Sequence, residues 1–268
     1  MPQSAPGDIT APFEAQLGFA MGRLQVDLVQ GASDLDAVQR LRAARFRGGQ
    51  GSDLDRFDPH CQHLLIRDLY DGTPCAAARF RLLADPASIA ASYTAQFYDL
   101  GTLASTGLRM LEIGRICIAG QRRGDPDIPR ALLAGLTQRA MALRVQMLVG
   151  CASFAGASVA RHAGALRHLA ANHIGPEPLR PRRRDACATV DLARVASTDP
   201  PGPGGIPPLL RMYLGMGGWV SDHAVRDPDL DTLHVFTAVE TGRIPPARRR
   251  MLQALARGPL PSQHERLS

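Results

Sequence analysis

Residues 111–126 read LEIGRICIAGQRRGDP and combine residue types suited to a transfer reaction. An apolar run carries an acid and an arginine, Glu112 and Arg115, and a turn rich in Arg and Gly follows it. The next residues predict a helix. Such a turn directs backbone N–H groups and the positive end of a helix dipole at an anion. The stretch therefore favours a transferase that binds a phosphate next to a carboxylate.

The turn supplies the candidate phosphate ligands, which are Gln121, Arg122, Arg123 and Gly124. Guanidinium groups match phosphate geometry, and a glycine permits close approach of the backbone. The alternative is an ordinary polar turn that caps a helix, and the spacing alone favours that alternative.

Glu112 and Arg115 lie three positions apart, so a regular strand would direct them to opposite faces. A β-bulge would change this, and bulges occur next to active sites. Glu112 could act as a base or bind an ammonium group. It could equally form a structural ion pair with one of the many arginines, and the local sequence leaves both readings open.

Asp55 and Asp58 flank Phe57 and could hold a cationic substrate. Acids in loops more often cap turns, and taken alone this pair favours that role. Arg42 and Phe46 fall on a predicted helix, where a solvated face with one core residue is the commoner arrangement.

Composition narrows the class of protein. The 268 residues suit one large domain, with 45% hydrophobic residues to form a core. We expect no metal site, because His60, Cys61 and His63 have no matching distant ligand pair. An apolar run long enough to span a membrane and a basic signal sequence are both missing, so we expect a cytoplasmic protein. The net charge of +6, carried by 31 arginines and no lysine, implies an acidic partner, which could be nucleic acid, an anionic membrane or a carrier protein.

The hydrophobic patterns predict one mixed central β-sheet flanked by helices, an α/β (α+β) fold. Residues 1–20 form a flexible lead-in, residues 21–258 the domain, and residues 259–268 a tail. The predicted strands are 24–30, 63–70, 75–85, 109–119, 145–154, 186–192 and 232–240. Helices are predicted at 34–46, 127–144, 157–173 and 245–258, with another that starts in 208–220.

Five motifs occur in a recognisable order: RLRAARF (40–46), LDRFDPHCQHLLIRD (54–68), AAARFRLL (76–83), LEIGRICIA (111–119) and GCASF (150–154). Together they resemble the L-ornithine N-acyltransferases of ornithine-lipid synthesis, members of the GNAT superfamily related to acyl-homoserine-lactone synthases. A C-terminal segment, residues 206–240, is more specific to the ornithine-lipid branch. The region 206–258 is an extension relative to the lactone synthases.

The resemblance implies transfer of a 3-hydroxyacyl chain from acyl carrier protein to the α-amine of L-ornithine, which gives lyso-ornithine lipid. The donor is then an acyl-phosphopantetheine on its carrier, and no cofactor is bound. Glu112 becomes the general base, and a backbone N–H near Cys117 or Ile118 polarises the thioester. The residues carried over by position for the substrate side are Arg42, Phe46, Asp55, Asp58, Arg79 and Arg115.

One position departs from the superfamily pattern. Pro126 stands where the phosphate turn has Gly or Ala, and proline has no N–H to offer. This favours a carrier's single phosphate over the pyrophosphate of CoA.

The alternative functions are an acyl-homoserine-lactone synthase, a CoA-dependent acetyltransferase, and a nucleic-acid or membrane-binding module. Scattered aromatics argue against a stacking surface for nucleic acid. Arg248, Arg249 and Arg250 on the last helix could contact an anionic bilayer.

Overall fold

The computed structural model describes residues 18–196 and 200–256. Most of the predicted lead-in and all of the predicted tail, 259–268, lie outside these ranges. The strands of the described chain are β1 Gly18–Met21, β2 Leu24–Leu28, β3 Gln62–Asp68, β4 Pro74–Leu83, β5 Tyr98–Asp99, β6 Met110–Ile118, β7 Met147–Ala155, β8 Arg182–Arg183, β9 Thr189–Asp191, β10 Trp219–Asp227 and β11 Thr232–Glu240. The α-helices are α1 Ala32–Phe46, α2 Pro86–Ala90, α3 Gly101–Ala104, α4 Asp127–Ala142, α5 Val159–Asn172, α6 Pro208–Leu214 and α7 Pro246–Ala256.

Nine of the strands form one sheet in the order β1-β2-β3-β4-β6-β7-β11-β10-β9, and β5 pairs with β8 in a small second sheet. Neighbouring strands of the large sheet are antiparallel except β6 and β7, which are parallel. The predicted mixed central sheet is therefore confirmed, as is the hairpin of β3 and β4.

Helices cover both faces of the sheet. Leu64 and Leu65 are neighbours in β3, so their side chains lie on opposite faces. Leu64 packs with Leu132 of α4, whereas Leu65 packs with Val38 of α1. A methyl group on Gly135 of α4 would lie 2.9 Å from the Leu64 side chain, so this helix sits directly on the sheet.

One predicted boundary needs correction, and one predicted helix is confirmed. Residues 18–20, assigned to the flexible lead-in, belong to β1, which pairs with β2 through a tight turn at Gly22, where φ is +59°. The segment 208–220 starts as a helix, as predicted, and that helix ends at Leu214. Gly217 follows with φ +83°, a conformation that favours glycine, and the chain then enters β10.

The sheet divides between β6 and β7. Their parallel pairing covers three residue pairs and ends at Glu112 and Val149. Beyond this fork, β6 continues along β4 and β7 continues along β11. Gly150 lies at the point of division, and a Cβ there would lie 2.4 Å from the Ile113 carbonyl oxygen. The two strands therefore meet tightly at the fork and leave two facing unpaired edges within the described sheet.

Candidate active site

Glu112 lies at the fork, on the face of the sheet that α1 covers. Its side chain is buried, and both carboxylate oxygens accept backbone hydrogen bonds. Oε2 accepts from the N–H of Tyr93 at 3.1 Å, and Oε1 accepts from the N–H of Thr94 at 2.7 Å. These N–H groups open a single 3₁₀ turn, Thr94–Gln96, whose first donors have no partner inside the turn. Glu112 thus ties the segment between β4 and β5 to the fork.

The bulge that could bring Arg115 to the same face as Glu112 is present. Arg79 and Ala77 of β4 pair with Gly114 and Cys117 of β6, so two residues of β6 stand opposite one of β4. Arg115 is one of the two and has φ +50°, a conformation that non-glycine residues seldom adopt. Its guanidinium reaches the Tyr93 hydroxyl, next to the groups that bind Glu112.

Beside the fork, three arginines and three aspartates bind one another in a buried cluster, here called the Arg/Asp cluster. Asp55 accepts from Arg79 at 2.6 Å and from Arg115 at 3.3 Å. Arg42 donates to Asp58 at 2.5 Å. The cluster consists of Arg42, Asp53, Asp55, Asp58, Arg79 and Arg115. Five of these six come from the predicted site, so residues from α1, the following loop, β4 and β6 converge here.

Asp53 is the one member that was not among the predicted site residues. Its carboxylate accepts from Nε of Arg42 at 2.9 Å, from Nε of Arg115 at 2.8 Å and from Nε of Arg47 at 3.0 Å. Its residue surface is 1% exposed. The signal was the spacing of acids in SDLDRFD, which places a third aspartate two residues before Asp55.

Asp58 and Asp55 differ in how many hydrogen bonds their carboxylates accept. Four N–H groups donate to the Asp58 carboxylate, two from Arg42, one from Arg79 and one from the Asp55 backbone. Burial alone would raise the pKa of Asp58, but these donors lower it to about 2. The Asp55 side chain is 20% exposed and accepts a single bond on Oδ2. Asp55 is thus the aspartate with capacity for a further donor.

Aromatic rings line the same face. Tyr93 lies against Phe57 and Phe97, with ring centroids 5.5 and 5.4 Å apart. The Arg115 guanidinium lies 5.1 Å from the Tyr93 ring centre and 5.5 Å from that of Phe46. The predicted Phe46 therefore joins the site, together with Tyr93, which was not among the predicted site residues.

Some of the charged side chains at the predicted phosphate turn already form ion pairs within the protein. Arg122 pairs with Asp68 at 3.2 Å, and Arg23 pairs with Asp68 and Asp125. Arg123 is exposed and has no hydrogen-bond or ion-pair partner for its side chain among the described residues. Gln121 and Gly124 are also exposed.

The N-terminus of α4 offers few free donors. Pro126 is its N-cap and Pro129 lies in its first turn, so two positions have no N–H. The N–H of Asp127 is bonded to the Asp125 carboxylate at 3.0 Å. The free groups at this turn are therefore the side chain of Arg123 and the turn itself, and the helix end adds little.

Cys117 and Ile118 lie beyond the bulge, on the part of β6 that no longer pairs with β7. The Cys117 side chain packs against α1, and burial raises the pKa of its thiol to about 11. It is therefore a packing thiol, and only the backbone here could serve a ligand.

Comparison with known proteins identifies the family of this chain. Residues 39–131 match the acetyltransferase (GNAT) domain family. An L-ornithine N(alpha)-acyltransferase of Rhodobacter capsulatus is 33% identical over 238 residues, which is 81% of this chain and 90% of the relative. The chain belongs to the L-ornithine N(alpha)-acyltransferase family. A second relative with that name, from Rhizobium meliloti, is 28% identical over 88% of this chain and 86% of its own length.

The fold of this ornithine acyltransferase family member also has a structural match. The solved N-acyl amino acid synthase FeeM, from uncultured soil microbes, aligns with a TM-score of 0.50 and 9% identity, covering 84% of this chain and 98% of that one. The predicted GNAT-like fold is confirmed, and the chain is an N-acyltransferase. No helix in 18–196 or 200–256 is long and apolar enough to cross a bilayer.

Within this family member, the predicted residues divide between two places. Glu112, Phe46 and the Arg/Asp cluster meet beside the fork. The turn residues lie after the end of β6, where the unpaired edge of that strand leads. Strand β6 links the two places, since Glu112 lies near its start and the turn follows its end.

Proposed function

We propose that the protein transfers a 3-hydroxyacyl chain from the phosphopantetheine of acyl carrier protein to the α-amine of L-ornithine, giving lyso-ornithine lipid. The observation that carries the proposal is the match to relatives named L-ornithine N(alpha)-acyltransferase over four-fifths of the chain or more. That match extends well beyond the GNAT domain at 39–131.

The fork suits an acyl-phosphopantetheine donor. Pantetheine is an extended chain with two amides, and facing unpaired strand edges offer backbone donors and acceptors to such a chain. The edges are Gly114–Ile118 on β6 and 151–155 on β7. Of the two candidate N–H groups, that of Ile118 lies on the first edge, because N–H groups alternate along a strand and the next residue, Ala119, donates to Cys75 of β4. There it can polarise the thioester carbonyl.

Glu112 is the proposed general base. The α-amine of ornithine arrives protonated, and an ammonium group cannot attack a thioester. Each Glu112 oxygen accepts one hydrogen bond in the structure, which leaves capacity on both for a proton or a water. The α-amine has a lower ordinary pKa than a side-chain amine, so its deprotonation costs less. This difference favours acylation at the α position.

The Arg/Asp cluster gives the proposed binding site for ornithine. Asp55, whose carboxylate remains partly exposed, holds the δ-ammonium group. Arg115 uses one N–H on each of its two η nitrogens and retains the other for the carboxylate. Arg42, Asp58 and the hidden Asp53 hold these two residues in place, and Arg79 contacts both Asp55 and Asp58.

The carrier's phosphate is proposed to bind at the turn, on Arg123 with Gln121 and Gly124. Arg122 supports the turn through Asp68. A single phosphate needs few donors, whereas the pyrophosphate of CoA relies on the helix end that Pro126, Pro129 and Asp125 occupy. The proposal therefore makes acyl carrier protein the preferred donor over CoA.

The second proposed partner is the cytoplasmic surface of the inner membrane. Helix α7 packs Leu252 and Ala256 inward and exposes Arg250 and Met251. An exposed basic and apolar face suits an anionic interface. Reversal of Arg248 and Arg250 to Glu should abolish flotation with anionic vesicles, and unchanged flotation would remove the membrane from the account. Arg249 is not a good target, because it binds the carbonyls of Gly242 and Ile244.

The proposed activity is tested with purified protein, a 3-hydroxyacyl carrier protein and a panel of amines. Each reaction contains one amine, which is ornithine, lysine, glutamine or S-adenosylmethionine. Mass spectrometry with fragmentation identifies each product. We expect an α-N-acyl product from ornithine, and at least tenfold slower transfer when the same acyl group is offered on CoA. A lactone from S-adenosylmethionine, or acetylation from acetyl-CoA alone, would replace this function by one of the alternatives.

A further inference from the structure

Tyr93 lies beside the fork, and its side chain has no part in the function proposed above. Its N–H binds Glu112, its ring packs between Phe57 and Phe97, and its hydroxyl accepts a hydrogen bond from Nη1 of Arg115 at 3.3 Å. The neighbouring Thr94 hydroxyl lies 4.0 Å from the Cys151 thiol on β7. Tyr93 thus belongs to the segment that spans both sides of the fork.

The proton of the Tyr93 hydroxyl is unused. The hydroxyl accepts from Arg115, but its own O–H has no acceptor among the described residues. A hydroxyl that accepts from a cation becomes a stronger donor, because successive hydrogen bonds polarise one another. Burial raises the pKa of Tyr93 despite the nearby Arg115, so the phenol keeps its proton at neutral pH.

Two of the three guanidinium nitrogens of Arg115 donate to aspartates. Its Nε donates to Asp53 and its Nη2 to Asp55, so most of the guanidinium faces the Arg/Asp cluster. Tyr93 contacts both groups, since its hydroxyl and ring lie against Arg115 and its N–H binds Glu112 at the fork. A thioester in the fork develops negative charge on its carbonyl oxygen when an amine attacks, and a fixed donor at that oxygen lowers the barrier.

We propose that Tyr93 is a catalytic residue, whose hydroxyl, backed by Arg115, donates a hydrogen bond to the thioester oxygen as the tetrahedral intermediate forms. The proposal rests on the acyl-transfer function proposed above. The amine nitrogen bonds to the carbonyl carbon, and the C=O π electrons move to oxygen. When the intermediate collapses, these electrons re-form C=O and the C–S bond electrons leave with sulfur. Glu112 first takes one proton from the ammonium group and releases it to solvent. After the attack, a second proton passes from nitrogen through Glu112 to the thiolate, and Tyr93 retains its own proton throughout.

The test compares Tyr93→Phe with the wild-type protein. This change removes the hydroxyl but keeps the ring that packs on Phe57 and Phe97. We expect kcat to fall about 100-fold, the usual cost of one oxyanion donor, with KM for ornithine within about twofold of the wild-type value. Tyr70→Phe is the matched control, because Tyr70 lies 89% exposed at the β3–β4 turn, and its kcat should be unchanged.

A spectroscopic measurement separates this role from a structural one. The donor is an acyl carrier protein whose thioester carbonyl carries ¹³C, bound without any amine. We expect the infrared carbonyl band to shift to lower frequency on the wild-type protein and to return toward its free position on Tyr93→Phe. A fall in kcat with an unchanged band would overturn the catalytic role, as would an unchanged kcat. If the acceptor is an amine other than ornithine, the infrared result is unaffected, because the measurement contains no acceptor.

Discussion

At the scale of single residues, the site is built from charges that the protein itself neutralises. The acids and arginines of the cluster hold one another, and Glu112 is bound by two backbone N–H groups. A carboxylate in such a place could serve only to fix the segment that carries Tyr93. Catalytic and structural roles for Glu112 differ in how they depend on pH.

Glu112→Gln provides that distinction. We expect a 100-fold or larger loss of kcat/KM near pH 7, within the range typical of a lost general base. The loss should shrink as pH rises to about 9.5, because the α-amine of ornithine then deprotonates in solution. Acyl-transfer rates across this pH range are the measurement. A deficit of equal size at every pH would indicate that Glu112 acts only through structure.

Asp53 allows a second prediction at this scale. Asp53→Asn should lower the free energy of unfolding by about 3–5 kcal/mol, because it leaves buried guanidinium groups without their partner. Asp229→Asn is the matched control. Asp229 pairs with Arg47, as Asp53 does, but its side chain is 67% exposed, so we expect a change below about 1 kcal/mol. Urea denaturation measures both, and equal losses would contradict the account.

At the scale of elements, the sequence predicted most of the sheet but not its division. Strand patterns identified β2, β3, β4, β6, β7, β9 and β11, because alternation and apolar runs are local properties. The missed strand β10 follows three glycines within four residues, at 215, 217 and 218, which hide its start. The fork and the Arg115 bulge depend on pairing between distant strands, so local patterns could only allow for them. Asp53 had a local signal, the spacing of acids before Asp55, but only the fold brings its three arginine partners together. Tyr93 had none, because its partners Glu112 and Arg115 are about twenty residues away in the chain.

Gly150 tests the fork itself. A methyl group there would lie 2.4 Å from the Ile113 carbonyl oxygen, and backbone cannot move aside as a side chain can. Gly150→Ala should therefore separate β6 from β7 and lower the free energy of unfolding by about 1–3 kcal/mol or more. Gly124→Ala meets open space without a positive φ and should be close to neutral. If thermal denaturation gives the two variants the same melting temperature, the strands do not meet as described.

At the scale of the whole molecule, buried histidines make stability depend on pH. His234 is 1% exposed, and burial together with the nearby His223 lowers its pKa from 6.5 to about 4. Between these values the unfolded chain binds a proton that the folded chain excludes. The free energy of unfolding should thus fall on acidification from pH 6.5 to 4, by up to about 3 kcal/mol from this residue.

His234→Gln should remove this part of the pH dependence, even if the variant is less stable overall. His60→Gln, at an exposed position, should retain it. Denaturation midpoints at several pH values between 4 and 7.5 provide the comparison. The same slope in both variants would assign the acid sensitivity to other groups, such as His63 and His223, whose pKa values burial also lowers.

The central claim is that this chain acylates the α-amine of ornithine at the fork. Mass spectrometry of total lipids from cells with and without the protein tests it most directly. We predict a lipid in which ornithine carries one 3-hydroxyacyl amide on its α-nitrogen, present with the wild-type protein and absent without it. Unchanged ornithine lipids in the two strains, or an acyl-homoserine lactone as the new product, would contradict the claim.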